Sequence, residues 1–201
     1  MVTSIEGALR LGHMALRVLV VCTANVCRSP MAAGLLAAHL AAIGADASVT
    51  SAGTASYELP VDPVAVAAAR ALGVEIWAHR PRMLDRALLA HDGQHLIITM
   101  TREHLRHVVT TDRTAWRRTF TLRELVRRAS SGGRVDESVT GEERFAGVIG
   151  ELAAPRRAND LIDNDPDDDI ADPYGQGIAA VRRAAAELDL LTGSLAKLLP
   201  W

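Results

Sequence analysis

Residues 18–31 read VLVVCTANVCRSPM, an apolar strand that runs into a short polar loop and then into a helix. Five residues separate Cys22 from Arg28, and Ser29 follows the arginine directly. A loop of this length can wrap an oxyanion, because its backbone N–H groups can point inward and the next helix presents the positive end of its dipole. The guanidinium adds a planar fork that matches two oxygens of a tetrahedral anion. The stretch therefore predicts a strand–loop–helix unit that binds phosphate.

The same loop makes Cys22 a candidate nucleophile. Thiols at helix N-termini beside a cation ionise more readily than free cysteine, so we expect a thiolate at neutral pH. A thiolate beneath a bound phosphate monoester faces the phosphorus atom, which indicates phosphoryl transfer to the sulfur. The simpler interpretation is a buried structural cysteine that has an arginine nearby by chance. The required order of strand, loop and helix argues against that interpretation.

Composition limits the classes of function. The chain has 201 residues, 49% of them hydrophobic, which suits one domain with a sizeable core. A formal net charge of -2 gives no sign of the positively charged surface that binds nucleic acid or an anionic membrane. Cys22 and Cys27 are the two cysteines, so we expect no disulfide framework, no metal site and a reducing, cytoplasmic location. No stretch reaches the roughly 18 apolar residues of a membrane span.

Apolar segments alternate with helical patterns along most of the chain. Strands are predicted over residues 15–21, 47–52, 95–100 and 115–119, with helices between them. This alternation predicts an α/β fold: an open parallel four-stranded sheet with helices on both faces and the phosphate loop after strand 1. We expect residues 1–13 to form a flexible N-terminal extension before a single domain over residues 14–201.

An insertion at about residues 130–170 interrupts the alternation. It contains a predicted helix over residues 140–152, opened by a capping box of Thr140 and Glu143. The acidic run at residues 160–169 follows, and its charge favours a solvated loop. A long helix is then predicted over residues 177–199.

At four sites the chain resembles the low-molecular-weight protein tyrosine phosphatase family. These sites are VCTANVCRSPMA from Val21, TSAGT at 50–54, ITMTREH at 98–104 and DPYG at 172–175. An N-terminal Cys-x5-Arg-Ser loop combined with a late Asp-Pro-Tyr is specific to this family among Cys-x5-Arg phosphatases. The resemblance implies hydrolysis of phosphotyrosine in a protein substrate through a cysteinyl-phosphate, without a cofactor.

Three catalytic residues are implied by the resemblance. Cys22 would attack phosphorus, and Arg28 would hold two equatorial oxygens as charge spreads over them. Asp172 would protonate the leaving phenolate and then activate water against the phosphoenzyme. Without the resemblance, a cap of the last helix is an equally good interpretation of Asp172, because Asp-Pro is common at that position.

The resemblance also implies supporting residues. Ser29 would hydrogen-bond the Cys22 sulfur, and Asn25 would take a left-handed backbone conformation and bond Ser51. His79 would brace the loop from behind, although a surface histidine fits its basic turn nearly as well. The remaining loop positions and the cleft walls are Thr23, Ala24, Val26, Cys27, Tyr174 and Tyr57.

Several departures and alternatives remain open. Ala24 stands where the family commonly has glycine, and the loop after Thr54 is short. Arsenate reductases of this fold need further cysteines, which this chain lacks. Arginine phosphatases of this fold carry threonine at the position of Val26, and a catalytically inactive phosphate-binding module is a further alternative. Cys27 is either a packed small side chain or a partner that protects Cys22 through a reversible disulfide.

Overall fold

Four parallel strands form the centre of the fold, in the order β2-β1-β3-β4. They are β1 (Leu16–Cys22), β2 (Ala47–Gly53), β3 (Leu96–Thr99) and β4 (Thr119–Thr121). The computed structural model describes residues 15–55, 58–90, 93–132, 139–157, 160, 163 and 165–201. The N-terminal extension predicted over residues 1–13 and the predicted cleft residue Tyr57 lie outside the described residues. No helix within these ranges is both long and apolar enough to cross a membrane.

Six α-helices connect and cover the strands within the described residues. They are α1 (Arg28–Ala42), α2 (Pro63–Ala71), α3 (Arg102–Thr111), α4 (Leu122–Ser130), α5 (Gly141–Ala153) and α6 (Ile178–Leu198). Short 3-10 helices occupy Arg113–Arg118 and Pro166–Asp168.

Strand β1 lies between β2 and β3, and its residues 18–22 form an apolar run that is buried on both faces of the sheet. Val18 and Val20 belong to the larger core, which includes residues of α1, α2, α4, α5 and α6. Leu19 and Val21 belong to a second cluster on the opposite face, together with Val108 of α3. The predicted parallel sheet with helices on both faces is therefore confirmed.

The fourth strand is shorter and later than predicted. Residues 115–118 belong to the 3-10 helix Arg113–Arg118, and β4 covers Thr119–Thr121. The carboxylate of Asp112 accepts a hydrogen bond from the Thr114 amide at 2.9 Å, which caps this turn. An Asp immediately before the turn competes with strand formation in this way.

Two predictions for the insertion are wrong. Helix α5 begins at Gly141, but the Thr140 side chain makes no capping hydrogen bond, and Gly141 has a left-handed φ of 63° that breaks the geometry of a capping box. The acidic run is not a uniformly solvated loop. Asp168 is fully buried between Arg102 and Arg127, because a buried carboxylate is stable when cations pair with it.

Candidate active site

The loop of residues 22–28 joins β1 to α1 at the carboxyl ends of the strands, where α/β sheets bind ligands. Neighbouring segments hold its carbonyl groups from outside. The amide of Thr54 donates to the carbonyl of Cys22 at 2.9 Å, and the amide of Asp62 donates to the carbonyl of Val26 at 2.9 Å. Carbonyls fixed in this outward direction leave the loop amides to face an anion.

Asn25 braces the loop from within. Its backbone is left-handed, with φ 58°, and its side chain is fully buried. The Nδ2 group donates to the hydroxyl oxygens of Ser29 and Ser51, each at 2.8 Å. Both features match the expectation from sequence. The brace ties the loop to β2, which ends beside it.

The other side of Asn25 is held by the turn at residues 79–82. Nε2 of His79 lies 3.0 Å from the Asn25 carbonyl and 3.2 Å from its Oδ1, and the Arg82 amide donates to Oδ1 at 3.1 Å. Burial lowers the pKa of His79, which favours the neutral ring. Because both Asn25 oxygens can only accept, Nε2 carries the proton. His79 therefore lies where the sequence interpretation as a loop brace requires.

Cys22 and Ser29 are in direct contact, with Sγ and Oγ 2.9 Å apart. Since Ser29 Oγ already accepts from Asn25, its hydroxyl hydrogen is available to donate to the sulfur. A hydroxyl donor at this distance stabilises an anionic sulfur. Cys27 is the second cysteine of the loop. Burial, with a contribution from the Asp62 carboxylate, raises the pKa of Cys27 to about 12, so it is a thiol at neutral pH.

Arg28 is 3% exposed, and its guanidinium is held from three sides. Nη1 donates to the carbonyl of Ile170 at 3.1 Å, and Nη2 donates to Thr23 Oγ1 at 3.2 Å. Nη2 also donates to Asp172 Oδ2 at 2.5 Å. The fold therefore brings together the three residues that the sequence singled out as catalytic, at one end of the sheet.

Asp172 does not cap the last helix. Helix α6 begins at Ile178, and its N-cap residue is Gly177. The Asp172 side chain is instead 48% exposed and faces Arg28, while its Oδ1 accepts from the Tyr174 amide at 3.2 Å. This turn directs one carboxylate oxygen toward the loop and holds the other in place.

His104 supports the site in a way that the sequence interpretation missed. Its Nε2 lies 2.9 Å from Thr23 Oγ1, and its Nδ1 lies 2.8 Å from Thr101 Oγ1. Burial and the charge of Arg28 lower the pKa of His104 to about 3, so the ring is neutral. Through Thr23 it fixes the hydroxyl that accepts from Arg28. The one available signal was the spacing Thr101-x-x-His104 at the start of α3.

A cavity of about 280 Å³ opens over the loop. Its lining residues are Cys22, Thr23, Ala24, Val26, Cys27, Arg28, Leu59, Asp172 and Tyr174. Tyr174 is at the cleft as expected from sequence, whereas Leu59 was not anticipated. Among the described residues, Asn25 and Glu58 are the non-glycine positions with positive φ, so Ala24 does not adopt a backbone that requires glycine.

Comparison with known families gives one match over most of the chain. The protein-family model described as "Low molecular weight phosphotyrosine protein phosphatase" matches residues 17–164. A probable low molecular weight protein-tyrosine-phosphatase, EpsP of Ralstonia solanacearum, is 41% identical over 73 residues, or 36% of this chain and 48% of the relative. EpsP of Ralstonia nicotianae is 40% identical over 74 residues, with the same coverage. The chain thus spans about half the length of these curated relatives.

Solved structures resemble this chain over most of its length. The low molecular weight protein tyrosine phosphatase from T. tengcongensis is 28% identical, with a TM-score of 0.66, over 91% of this chain and 99% of that chain. The YwlE arginine phosphatase from Geobacillus stearothermophilus is also 28% identical, with a TM-score of 0.63, over 90% of this chain and 91% of that chain.

Proposed function

This chain belongs to the low molecular weight phosphotyrosine protein phosphatase family, and on that premise we propose that it hydrolyses aryl phosphate monoesters, with phosphotyrosine in a protein as the substrate. The observation that carries the proposal is the arrangement at the cavity floor. Cys22 Sγ lies 2.9 Å from Ser29 Oγ, and the Arg28 guanidinium lies 2.5 Å from the Asp172 carboxylate. Nucleophile, phosphate-binding cation and acid therefore line one cavity.

The first step transfers the phosphoryl group to sulfur. The Cys22 thiolate attacks phosphorus, an S–P bond forms, and the bond between phosphorus and the aryl oxygen breaks. Arg28 holds the equatorial oxygens, which share the charge of the transition state. Asp172 in its acid form donates its proton to the departing phenolate.

The second step returns the enzyme to its starting state. The Asp172 carboxylate accepts a proton from water, whose oxygen attacks phosphorus while the S–P bond breaks. Inorganic phosphate leaves, and Cys22 is again a thiolate. Ser29 assists the departure of the sulfur, because its hydroxyl stabilises the negative charge that returns to it.

The walls of the cavity support an aryl substrate. Val26, Leu59 and Tyr174 place apolar surface around the phosphate position, and Tyr174 is 49% exposed at the rim. An aromatic ring bound between an aliphatic wall and a tyrosine buries apolar area and can stack. A phosphoserine side chain has no ring to use these contacts. The residues of the cavity walls therefore support the proposed aryl substrate, and those of the cavity floor support the proposed chemistry.

Phosphoarginine hydrolysis is the second candidate activity. One structure at 28% identity is named as an arginine phosphatase, the same identity as the tyrosine phosphatase from T. tengcongensis. Val26, buried at the cavity wall, favours the aryl substrate, because a side chain without a polar atom offers no hydrogen bond to a guanidinium. We also infer a cytoplasmic location, where the nucleophilic thiol stays reduced.

A steady-state assay with paired substrates tests the proposal. We expect the purified chain to hydrolyse p-nitrophenyl phosphate and a phosphotyrosine peptide, and Cys22→Ser to abolish both activities. Activity that persists in Cys22→Ser would contradict the cysteine mechanism. A kcat/KM for a phosphoarginine peptide above that for the matched phosphotyrosine peptide would contradict the substrate assignment. Capture of phosphoproteins on Asp172→Ala then identifies the physiological substrate.

A further inference from the structure

The acidic run before Asp172 contains one carboxylate that is unlike its neighbours. Asp168 is 0% exposed, whereas Asp167 next to it is exposed. Oδ1 of Asp168 accepts a hydrogen bond from Nη1 of Arg127 at 2.5 Å, and Nη2 of Arg102 lies 2.7 Å from Oδ2. A carboxylate without solvent is stable only when cations or donors compensate for it. Two arginines from α4 and α3 provide that compensation.

The residues that follow Asp168 are tied one after another to the carboxyl end of β3. Oδ1 of Asp169 accepts from the Arg102 amide at 2.6 Å, at the first residue of α3. The amide of Ile170 donates to the Met100 carbonyl at 2.8 Å. The carbonyl of Ile170 then accepts from Arg28. Three successive residues are therefore anchored immediately before the chain reaches Ala171 and the proposed acid.

We propose that Asp168 is a positioning residue for the general acid: its ion pairs with Arg102 and Arg127 fix the segment of residues 168–172, which we name the acid strap, so that Asp172 meets the leaving oxygen. This inference rests on the proposed function, since it assumes that Asp172 is the acid. It assigns to the insertion a role in positioning the acid, because the insertion supplies the anchoring carboxylate.

The anchor acts on orientation and not on the chemistry itself. Arg102 is 6% exposed and already fixed at the start of α3, where its Nη1 donates to the Asp160 carbonyl at 2.6 Å. Asp168 therefore pairs with a rigid cation. Three residues separate it from Asp172 at the end of the acid strap, so a rotation at Asp168 displaces the carboxyl group of Asp172. Displacements of about 1 Å at a reacting group cost on the order of a hundredfold in rate.

The test compares two substrates whose leaving groups differ in how much they need a proton from the acid. Phenolate is a poor leaving group with a conjugate-acid pKa of about 10, so phenyl phosphate needs the proton from the acid. The 2,4-dinitrophenolate anion is a far better leaving group and needs little protonation. The measured quantity is kcat/KM, because it contains only the steps up to release of the phenol.

The variants are Asp168→Asn, which removes the charge and keeps the shape, and Asp167→Asn, the exposed neighbour, as the matched control. We expect Asp168→Asn to lower kcat/KM for phenyl phosphate at least about tenfold, and for 2,4-dinitrophenyl phosphate less than about twofold. Asp167→Asn leaves both unchanged. Arg127→Gln, which retains the Arg102 pair, shows the same selectivity to a smaller extent and replaces Asp168→Asn if that variant does not fold.

A loss of equal size with both substrates, or no loss with either, overturns the positioning role. Asp172→Asn in the same assay separates this outcome from failure of the proposed function. If Asp172→Asn shows the selective loss and Asp168→Asn does not, only the anchor is wrong. If Asp172→Asn itself shows no selectivity, the assignment of the acid is wrong, and the positioning role falls with it.

Discussion

Nη2 of Arg28 and Oδ2 of Asp172 lie 2.5 Å apart, so the phosphate-binding cation and the proposed acid are paired with each other. The arginine is buried, while the aspartate side chain is 48% exposed. A phosphate dianion that binds the Arg28 guanidinium must therefore displace the Asp172 carboxylate. Substrate binding at Arg28 therefore exchanges the Asp172 carboxylate for a phosphate group.

Removal of this internal competitor strengthens phosphate binding. We predict that Asp172→Asn lowers the competitive inhibition constant of inorganic phosphate about fivefold, since an ion pair with one exposed partner contributes up to about 1 kcal/mol. The inhibition constant is measured against 2,4-dinitrophenyl phosphate, which tolerates loss of the acid. Asp167→Asn serves as the control. An unchanged or higher constant for Asp172→Asn would contradict the exchange.

Gly53 sets the distance between β2 and the phosphate loop. A Cβ at this position would lie 2.5 Å from the Thr23 carbonyl oxygen, which is too close for a real contact. We predict that Gly53→Ala shifts the loop and lowers kcat/KM about a hundredfold, while it destabilises the fold by about 1–3 kcal/mol. Gly147→Ala is the control, because nothing lies within 4 Å of a Cβ there. Full activity in Gly53→Ala would show that the loop tolerates displacement.

The free energy of unfolding is predicted to fall at low pH because His104 is buried as the neutral ring. Its pKa falls from the usual 6.5 to about 3 in the folded chain, so between these values the unfolded chain binds a proton that the folded chain does not. Stability therefore falls as the pH drops below 6.5, by about 1 kcal/mol per pH unit from this group. We predict that urea unfolding of His104→Gln at pH 7 and pH 5 shows a smaller loss than the wild type.

The exposed residue Thr110 on the same helix provides the control for this experiment, because its side chain does not titrate. Thr110→Ala should lose as much stability between pH 7 and pH 5 as the wild type. If His104→Gln loses the same amount, His104 is protonated in the folded state and its neutral role beside Arg28 is wrong.

We predict that Cys27 protects the nucleophile from irreversible oxidation. Peroxide converts the Cys22 thiolate to a sulfenic acid with release of hydroxide, and the Cys27 thiol then forms a disulfide with release of water. Wild-type activity should return after treatment with dithiothreitol, and Cys27→Ala should recover far less. Because the pKa of Cys27 is raised to about 12, its thiolate fraction and the protected fraction increase from pH 7 to pH 9. Equal recovery of Cys27→Ala and wild type would contradict this role.

The parts of the site that are local in sequence could be predicted. The spacing of Cys22 and Arg28 lies within one strand–loop–helix unit, and the left-handed conformation of Asn25 follows from its residue type. His104 could not be found in this way. Its partner Thr23 is 81 residues away in the chain, and the contact exists only because β1 and β3 are neighbours in the sheet.

The burial of Asp168 could not be predicted from the charge composition of the insertion either, because it also depends on contacts between segments that are distant in the chain. A run of aspartates is usually solvated, and nothing local distinguishes Asp168 from Asp167. The distinction arises when α3 and α4 place two arginines around one carboxylate. The start of β4 was predicted too early because Asp112 stabilises a 3-10 turn where the apolar pattern favours a strand.

The most direct test of the account is the identification of the covalent intermediate. Asp172→Asn is mixed with p-nitrophenyl phosphate, quenched rapidly in denaturant, digested with trypsin and examined by mass spectrometry, with Cys22→Ala as the control. Both cysteines lie between the cleavage sites at Arg17 and Arg28, so fragmentation of that peptide must distinguish them. The account predicts one phosphoryl group on Cys22 and none in the control. A phosphoryl group on any other residue, or turnover without a phosphorylated peptide, would contradict it.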